Sequence, residues 1–164
     1  MKLPPQTVQT IYASPLGLMT LAATDTALVG AWFSDGSHLP DLSGCAQQPG
    51  HALLRLAASQ LDAYFAGRRQ QFDLPLNLST CTAFQNAVWQ ALCDIGLGST
   101  RSYGWVSQQI GHSKAVRAVG AAIGRNPLSI IVPCHRVVGA NGQLTGYAGG
   151  LPRKTALLQL EGAL

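Results

Sequence analysis

Three short apolar runs open the chain: TVQTIY at 7–12, LMTLAA at 18–23 and LVGAWF at 28–33. Ser14-Pro15-Leu16-Gly17 separates the first two, with proline and glycine at the second and fourth turn positions, and Thr24-Asp25-Thr26 separates the next two. This predicts a three-stranded antiparallel meander. Residues 34–50, rich in Ser, Gly, Pro and Asp, read as a loop. From His51 to Ala66 the apolar positions 53, 54, 57, 61, 64 and 65 repeat at helical spacing, and Gly67 ends the helix. The proline-broken stretch 70–80 reads as a linker, which predicts two domains, 1–78 and 79–164.

The second domain reads as mostly helical. Thr82 and Gln85 fit a capping box ahead of an apolar face of Phe84, Val88, Ala91, Leu92 and Ile95. Two short helices follow, 102–110 and, with Ser113 as N-cap, 113–123, separated by the break Gly111-His112. A Gly- and Pro-rich stretch carrying Ile130-Ile131-Val132 precedes the last helix, Pro152–Glu161, whose core contacts are Leu157, Leu158 and Leu160. The fold class expected is α/β (α+β): a meander with one helix, then a helical domain with a helix-turn-helix and an active-site loop.

Composition narrows the function classes. Of 164 residues 47% are hydrophobic and only 11% charged, less than half the usual charge. That excludes a disordered chain. The start MKLPPQTVQT has no apolar leader region, and no run approaches the ~18 residues of a membrane span. Cys45, Cys81, Cys93 and Cys134 form no CxxC pair, and His38, Cys45 and His51 lack convincing zinc spacing. The expectation is a cytoplasmic protein with reduced thiols, no membrane association and no metal.

The charge is lopsided. Through residue 100 four basic residues face six acidic ones. Beyond it Arg101, Lys114, Arg117, Arg125, Arg136, Arg153 and Lys154 face Glu161 alone. So basic a third suggests a polyanionic partner such as nucleic acid, although a solvated positive face reads the same way. The paired helices outline a helix-turn-helix, or an ordinary αα-hairpin. Lys114 and Arg117 share a face of the second helix, whose other residues are small. Such a surface admits a groove closely, or a neighbouring helix.

A lone cysteine after an apolar run is usually an inert buried thiol. Cys134 differs in its neighbours: Pro133 fixes the backbone before it, and His135 and Arg136 follow. The thiolate is the nucleophile, and lowering a thiol pKa from ~8.5 to ~6.5 takes about 2.7 kcal/mol. An imidazole and the local positive charge are expected to supply this. Glu161, the one acid of this region, is the natural group to orient the imidazole.

Asn126-Pro127, Ile131-Val132-Pro133-Cys134-His135-Arg136-Val137-Val138, and Gly146-Tyr147-Ala148-Gly149-Gly150 with Lys154 and Leu157-Leu158 resemble the signature of O6-alkylguanine-DNA alkyltransferases. Ser102-Tyr103-Gly104, Arg117-Ala118-Val119-Gly120 and the Ser14–Gly17 turn fit the same family in order and spacing. The resemblance implies an irreversible transfer of the alkyl group of O6-alkylguanine, and less well of O4-alkylthymine, to Cys134. It implies that His135 takes the thiol proton through a water, Glu161 holds His135, and Asn126 braces the turn. Tyr103 would push on the nucleotide's phosphate and protonate the guanine ring. Arg117 would fill the gap left by a base flipped through the minor groove, on a helix whose Lys114, Ala115 and Ala118 face DNA together with Arg125 and Arg136. Val137, Tyr147 and Ala148 would bind the base, and Lys154 would assist. The implied partner is double-stranded DNA, met as a monomer or cooperatively, with single turnover and no cofactor. Some relatives have serine where Ala148 stands and some bind zinc in the N-terminal domain; neither feature is expected here.

Three rivals compete. A non-enzymatic relative that binds O6-alkylguanine without repairing it lacks the acceptor cysteine, whereas Cys134 is present. A DNA-binding regulator leaves Pro133–Arg136 unexplained. A cysteine hydrolase needs Cys134 and His135 in direct contact, which chain neighbours rarely achieve.

Overall fold

The three apolar runs, separated by turn residues, form β1 (Val8–Ser14), β2 (Gly17–Ala23) and β3 (Leu28–Phe33). The computed structural model describes residues 2–78 and 81–164 and divides into two compact units, Met1–Thr80 and Cys81–Leu164. The boundary expected between 78 and 79 meets residues 79–80, which lie outside the described residues.

In the first unit β1 and β2 pair antiparallel from Val8↔Ala23 to Ser14↔Gly17, and β2 and β3 from Met19↔Phe33 to Ala23↔Leu28, as expected of a meander. Every residue of β3 is buried, because the sheet is covered on two faces. The helix α1 (Ala52–Phe65) buries Leu54, Ala57, Leu61 and Tyr64. Ala22, Val29, Trp32 and Leu42 form a separate buried cluster, joined by Leu3, Leu39 and Cys45.

Two expectations change here. The loop 34–50 carries Leu39 and Leu42 into that cluster and ends in a short strand β4 (Ala46–Gln47) parallel to β1. The segment read as linker is in part a sheet edge: the Leu28 N–H donates to Pro75 O at 2.8 Å and the Asn77 N–H to Leu28 O at 2.9 Å.

The second unit starts with α2 (Ala83–Cys93). Its capping box forms as expected: the Gln85 N–H donates to Thr82 Oγ1 at 3.2 Å, and the Thr82 N–H to Gln85 Oε1 at 3.0 Å. Next come β5 (Arg101–Ser102) and α3 (Tyr103–Gln109), which Ser102 caps through the Trp105 N–H at 3.1 Å. The helix α4 (Val116–Gly124) begins later than expected. The Ala115 N–H donates to His112 O at 2.8 Å, so residues 112–115 close a turn first and Ala115, not Ser113, is the N-cap. Trp89 docks α2 on α4 through a 2.9 Å bond from Nε1 to Ala122 O.

A 3-10 turn at Cys134–Arg136 leads into β6 (Val137–Val138), parallel to β5. The last helix is α5 (Leu151–Leu160), with Pro152 in its first turn. Among the described residues no helix is long and apolar enough to cross a membrane.

Candidate active site

The site is built from Asn126 upward. Its Oδ1 accepts the Leu128 N–H at 3.0 Å, and its Nδ2 donates to Val132 O at 2.8 Å and to Cys134 Sγ at 3.0 Å. One amide thus closes the turn and touches the thiol. Inside the turn Ile130 has φ of 74° and is almost fully buried. A β-branched residue in the left-handed region is strained, and the surrounding bonds and burial hold it there.

The 3-10 turn then places Cys134, His135 and Arg136 in the interior. His135 Nε2 lies 2.8 Å from Glu161 Oε1. Arg136 donates from Nε to Glu161 Oε2 at 2.8 Å and from Nη2 to Oε1 at 2.9 Å, a two-pronged pair, and its Nη1 donates to Ile95 O. Nδ1 of His135 is buried and has no hydrogen-bond partner among the described residues.

Electrostatics here differ from the sequence expectation. Burial pushes the Cys134 thiol above its ordinary pKa, while the Asn126 amide and the positive charge of Lys154 pull it down less strongly. Burial likewise pushes His135 below the usual imidazole range. Glu161 opposes that, whereas Arg136 and Lys154 reinforce it. The positive groups therefore do not make a standing thiolate. Both shifts favour a neutral thiol beside a neutral imidazole.

Two sequence assignments are corrected. Arg136, expected on DNA, is 6% exposed and its guanidinium is occupied by Glu161 and Ile95. Lys154, expected to contact substrate, is fully buried. Its ammonium donates to Val137 O and Thr145 O, both at 2.6 Å, and to Gly146 O at 3.4 Å, which uses all three protons. Burial holds its pKa down to about 8, partly offset by Cys134. It ties the Gly-rich loop to β6.

The remaining residues divide by exposure. Val137 is buried and Tyr147 and Ala148 are half-buried, the Tyr147 ring standing edge-on 6.5 Å from that of His135. Tyr103 opens α3, half-buried. Lys114, Arg117, Ala118 and Arg125 are exposed and Ala115 is partly so. Among the described residues no three His, Cys, Asp or Glu gather as a metal site.

Sequence reasoning missed Ile130, the Ile95 carbonyl and Thr145. Nothing in the sequence marks Ile130 as left-handed, since its residue type argues against it.

Two family models match: "6-O-methylguanine DNA methyltransferase, DNA binding domain" over 83–163 and its "ribonuclease-like domain" over 7–78. A "Methylated-DNA--protein-cysteine methyltransferase" of Mycolicibacterium paratuberculosis is 49% identical over 148 residues, 90% of this chain and 88% of the relative. The crystal structure of a Mycobacterium tuberculosis O6-methylguanine methyltransferase superposes with a TM-score of 0.88 at 46% identity, over 96% of this chain and 93% of that one. A structure of Mycobacterium tuberculosis OGT in complex with DNA also gives 0.88 at 46% identity, over 94% and 92%.

Proposed function

Because the chain belongs to the 6-O-methylguanine DNA methyltransferase family, we propose that it repairs duplex DNA by moving the alkyl group of O6-alkylguanine, and more slowly of O4-alkylthymine, onto the sulfur of Cys134. Its activity class is methylated-DNA–protein-cysteine methyl transfer. The observation that carries the mechanism is a pair of contacts on adjacent residues: Asn126 Nδ2 on Cys134 Sγ at 3.0 Å, and Glu161 on His135 Nε2 at 2.8 Å.

The target oxygen lies inside the duplex, so the nucleotide must be flipped out at a cost of a few kcal/mol. Arg117, exposed on α4, enters the stack from the minor groove and offsets part of that cost. Its neighbours support close approach, since Ala118 is small and exposed and Ala115 partly so. Lys114 and Arg125 meet phosphates. The flipped base sits against Tyr147, Ala148 and the backbone of Val137. The Val137 carbonyl already accepts from Lys154 and offers its second lone pair.

Through a water, Nδ1 of His135 takes the Cys134 proton, and Glu161 steadies the imidazolium that forms. Arg136, bonded to both oxygens of Glu161, holds that carboxylate in place. Sulfur attacks the alkyl carbon as the carbon–oxygen bond breaks, and Tyr103 gives its hydroxyl proton to the guanine ring. Summed, thiol and alkylguanine become thioether and guanine. The balance needs no cofactor, and it consumes the protein because a thioether does not revert. We place this protein in the cytoplasm as a monomer; all four cysteines are thiols, which suits a reducing compartment.

Stoichiometry tests this reading. With lesion-bearing duplex in excess, restored guanine should plateau at one per protein molecule. A rise past one would contradict acceptance by the protein itself.

A further inference from the structure

Tyr103 is gripped from two sides. A Cβ added at Gly120 of α4 would sit 3.8 Å from Cδ1 and Cε1 of its ring, so the ring lies flush against that helix. Its hydroxyl meets Thr145, a residue with no part in the chemistry so far. Tyr103 Oη donates to Thr145 O at 3.4 Å, and Thr145 Oγ1 donates back to Tyr103 Oη at 3.3 Å. Thr145 is itself exposed, but its carbonyl is fixed from within by Lys154 Nζ at 2.6 Å. The hydroxyl therefore stands on an anchored backbone.

We propose that Thr145 is a positioning residue for alkyl transfer, its hydroxyl supporting Tyr103 Oη while the phenol gives its proton to the leaving guanine. This rests on the roles given above to Cys134 and Tyr103. As sulfur–carbon forms and carbon–O6 breaks, the bonding pair passes to guanine and the Tyr103 proton moves to a ring nitrogen. Negative charge then collects on Tyr103 Oη, and the Thr145 O–H is already directed at it. Solvent afterwards returns a proton to Tyr103 and takes the one held by His135, so atoms and charge balance.

The length of the contact supports the idea. At 3.3 Å it is a weak bond between neutral groups. A hydrogen bond to a charged acceptor is shorter and about twice as strong. The contact therefore gains strength as the transition state develops, and only such a gain accelerates the step. Bonds that are long in a free enzyme and tighten on reaction are common in catalysis.

Thr145→Val removes the hydroxyl, keeps the side-chain shape and leaves the carbonyl for Lys154. Single-turnover reaction with a duplex carrying one O6-methylguanine should slow about three- to tenfold, with unchanged duplex Kd, and Thr145→Ser should stay within about twofold of the parent rate. Adding Thr145→Val to Tyr103→Phe should cost nothing further, because the supported hydroxyl is already gone. Thr145→Val at the parent rate, Thr145→Ser as slow as Thr145→Val, or an undiminished loss in the Tyr103→Phe background would each overturn the inference. Failure of the parent protein to acquire an alkyl group overturns the functional reading beneath it. A parent that reacts while Thr145→Val keeps pace overturns this inference alone.

Discussion

Arg136 and Lys154 are sealed in the interior, whereas Lys114, Arg117 and Arg125, drawn from the same basic third of the chain, stand in solvent. The first pair has its protons assigned: Arg136 to Glu161 and Ile95, Lys154 to three carbonyls. Identical residue types therefore serve opposite ends. The buried cations hold a carboxylate and a Gly-rich loop in place, whereas the exposed ones are accessible to a polyanion. Net charge counts both alike, and burial separates them.

The comparison breaks most readily at Glu161. Glu161→Gln leaves the Arg136 charge buried without its counter-ion, and loss of one partner of such a pair costs about 3–5 kcal/mol. Urea unfolding should show a drop of that order. A drop below about 1 kcal/mol would mean that the cluster is not a structural unit.

Arg117→Ala should do the reverse. Stability should change by less than about 0.5 kcal/mol. Repair in duplex DNA should slow on the order of tenfold or more, because flipping costs a few kcal/mol. Reaction with a free alkylguanine base should proceed at the parent rate. Equal loss on both substrates would remove Arg117 from the flipping step.

Lys154 gives a pH test. Held down to about 8 by burial, it is neutral in the folded chain where the unfolded chain still binds its proton, up to the ordinary lysine value of ~10.4. Over that window the unfolded state binds more protons, so this group's contribution to stability rises with pH. It is lost as pH falls through 8. Lys154→Met should flatten the slope of unfolding free energy against pH between about 8 and 10. An unchanged slope would assign the titration elsewhere.

The smallest effect belongs to Lys114→Ala, which should reduce the slope of log binding constant against log salt by about one unit and leave sequence preference alone.

How much was legible follows from where each signal lives. The capping box of α2 is read directly from Thr82 and Gln85, because its bonds link residues three apart. The meander is legible from its three apolar runs and the turn residues between them, and Cys134 from Pro133, His135 and Arg136 beside it. The partner of Arg136 was harder. Glu161 lies 25 residues away, and a charge read without its counter-ion looks like a DNA contact. Strands β4, β5 and β6 have two residues each, too few for any periodicity. Ser113 carries a real N-cap signal, yet the turn closed between His112 and Ala115 moves the helix start past it. The thiol's environment differs from expectation for a related reason: charge is visible in a sequence, but the burial that outweighs it at Cys134 is not.

Everything proposed here converges on the sulfur that Asn126 touches at 3.0 Å. The direct test is to incubate the protein with a duplex carrying a single O6-methylguanine and map the protein by mass spectrometry. The account predicts one methyl group on the peptide containing Cys134 and none on those of Cys45, Cys81 or Cys93. An unmodified Cys134 with the lesion intact, or a methyl group on another cysteine, would contradict it.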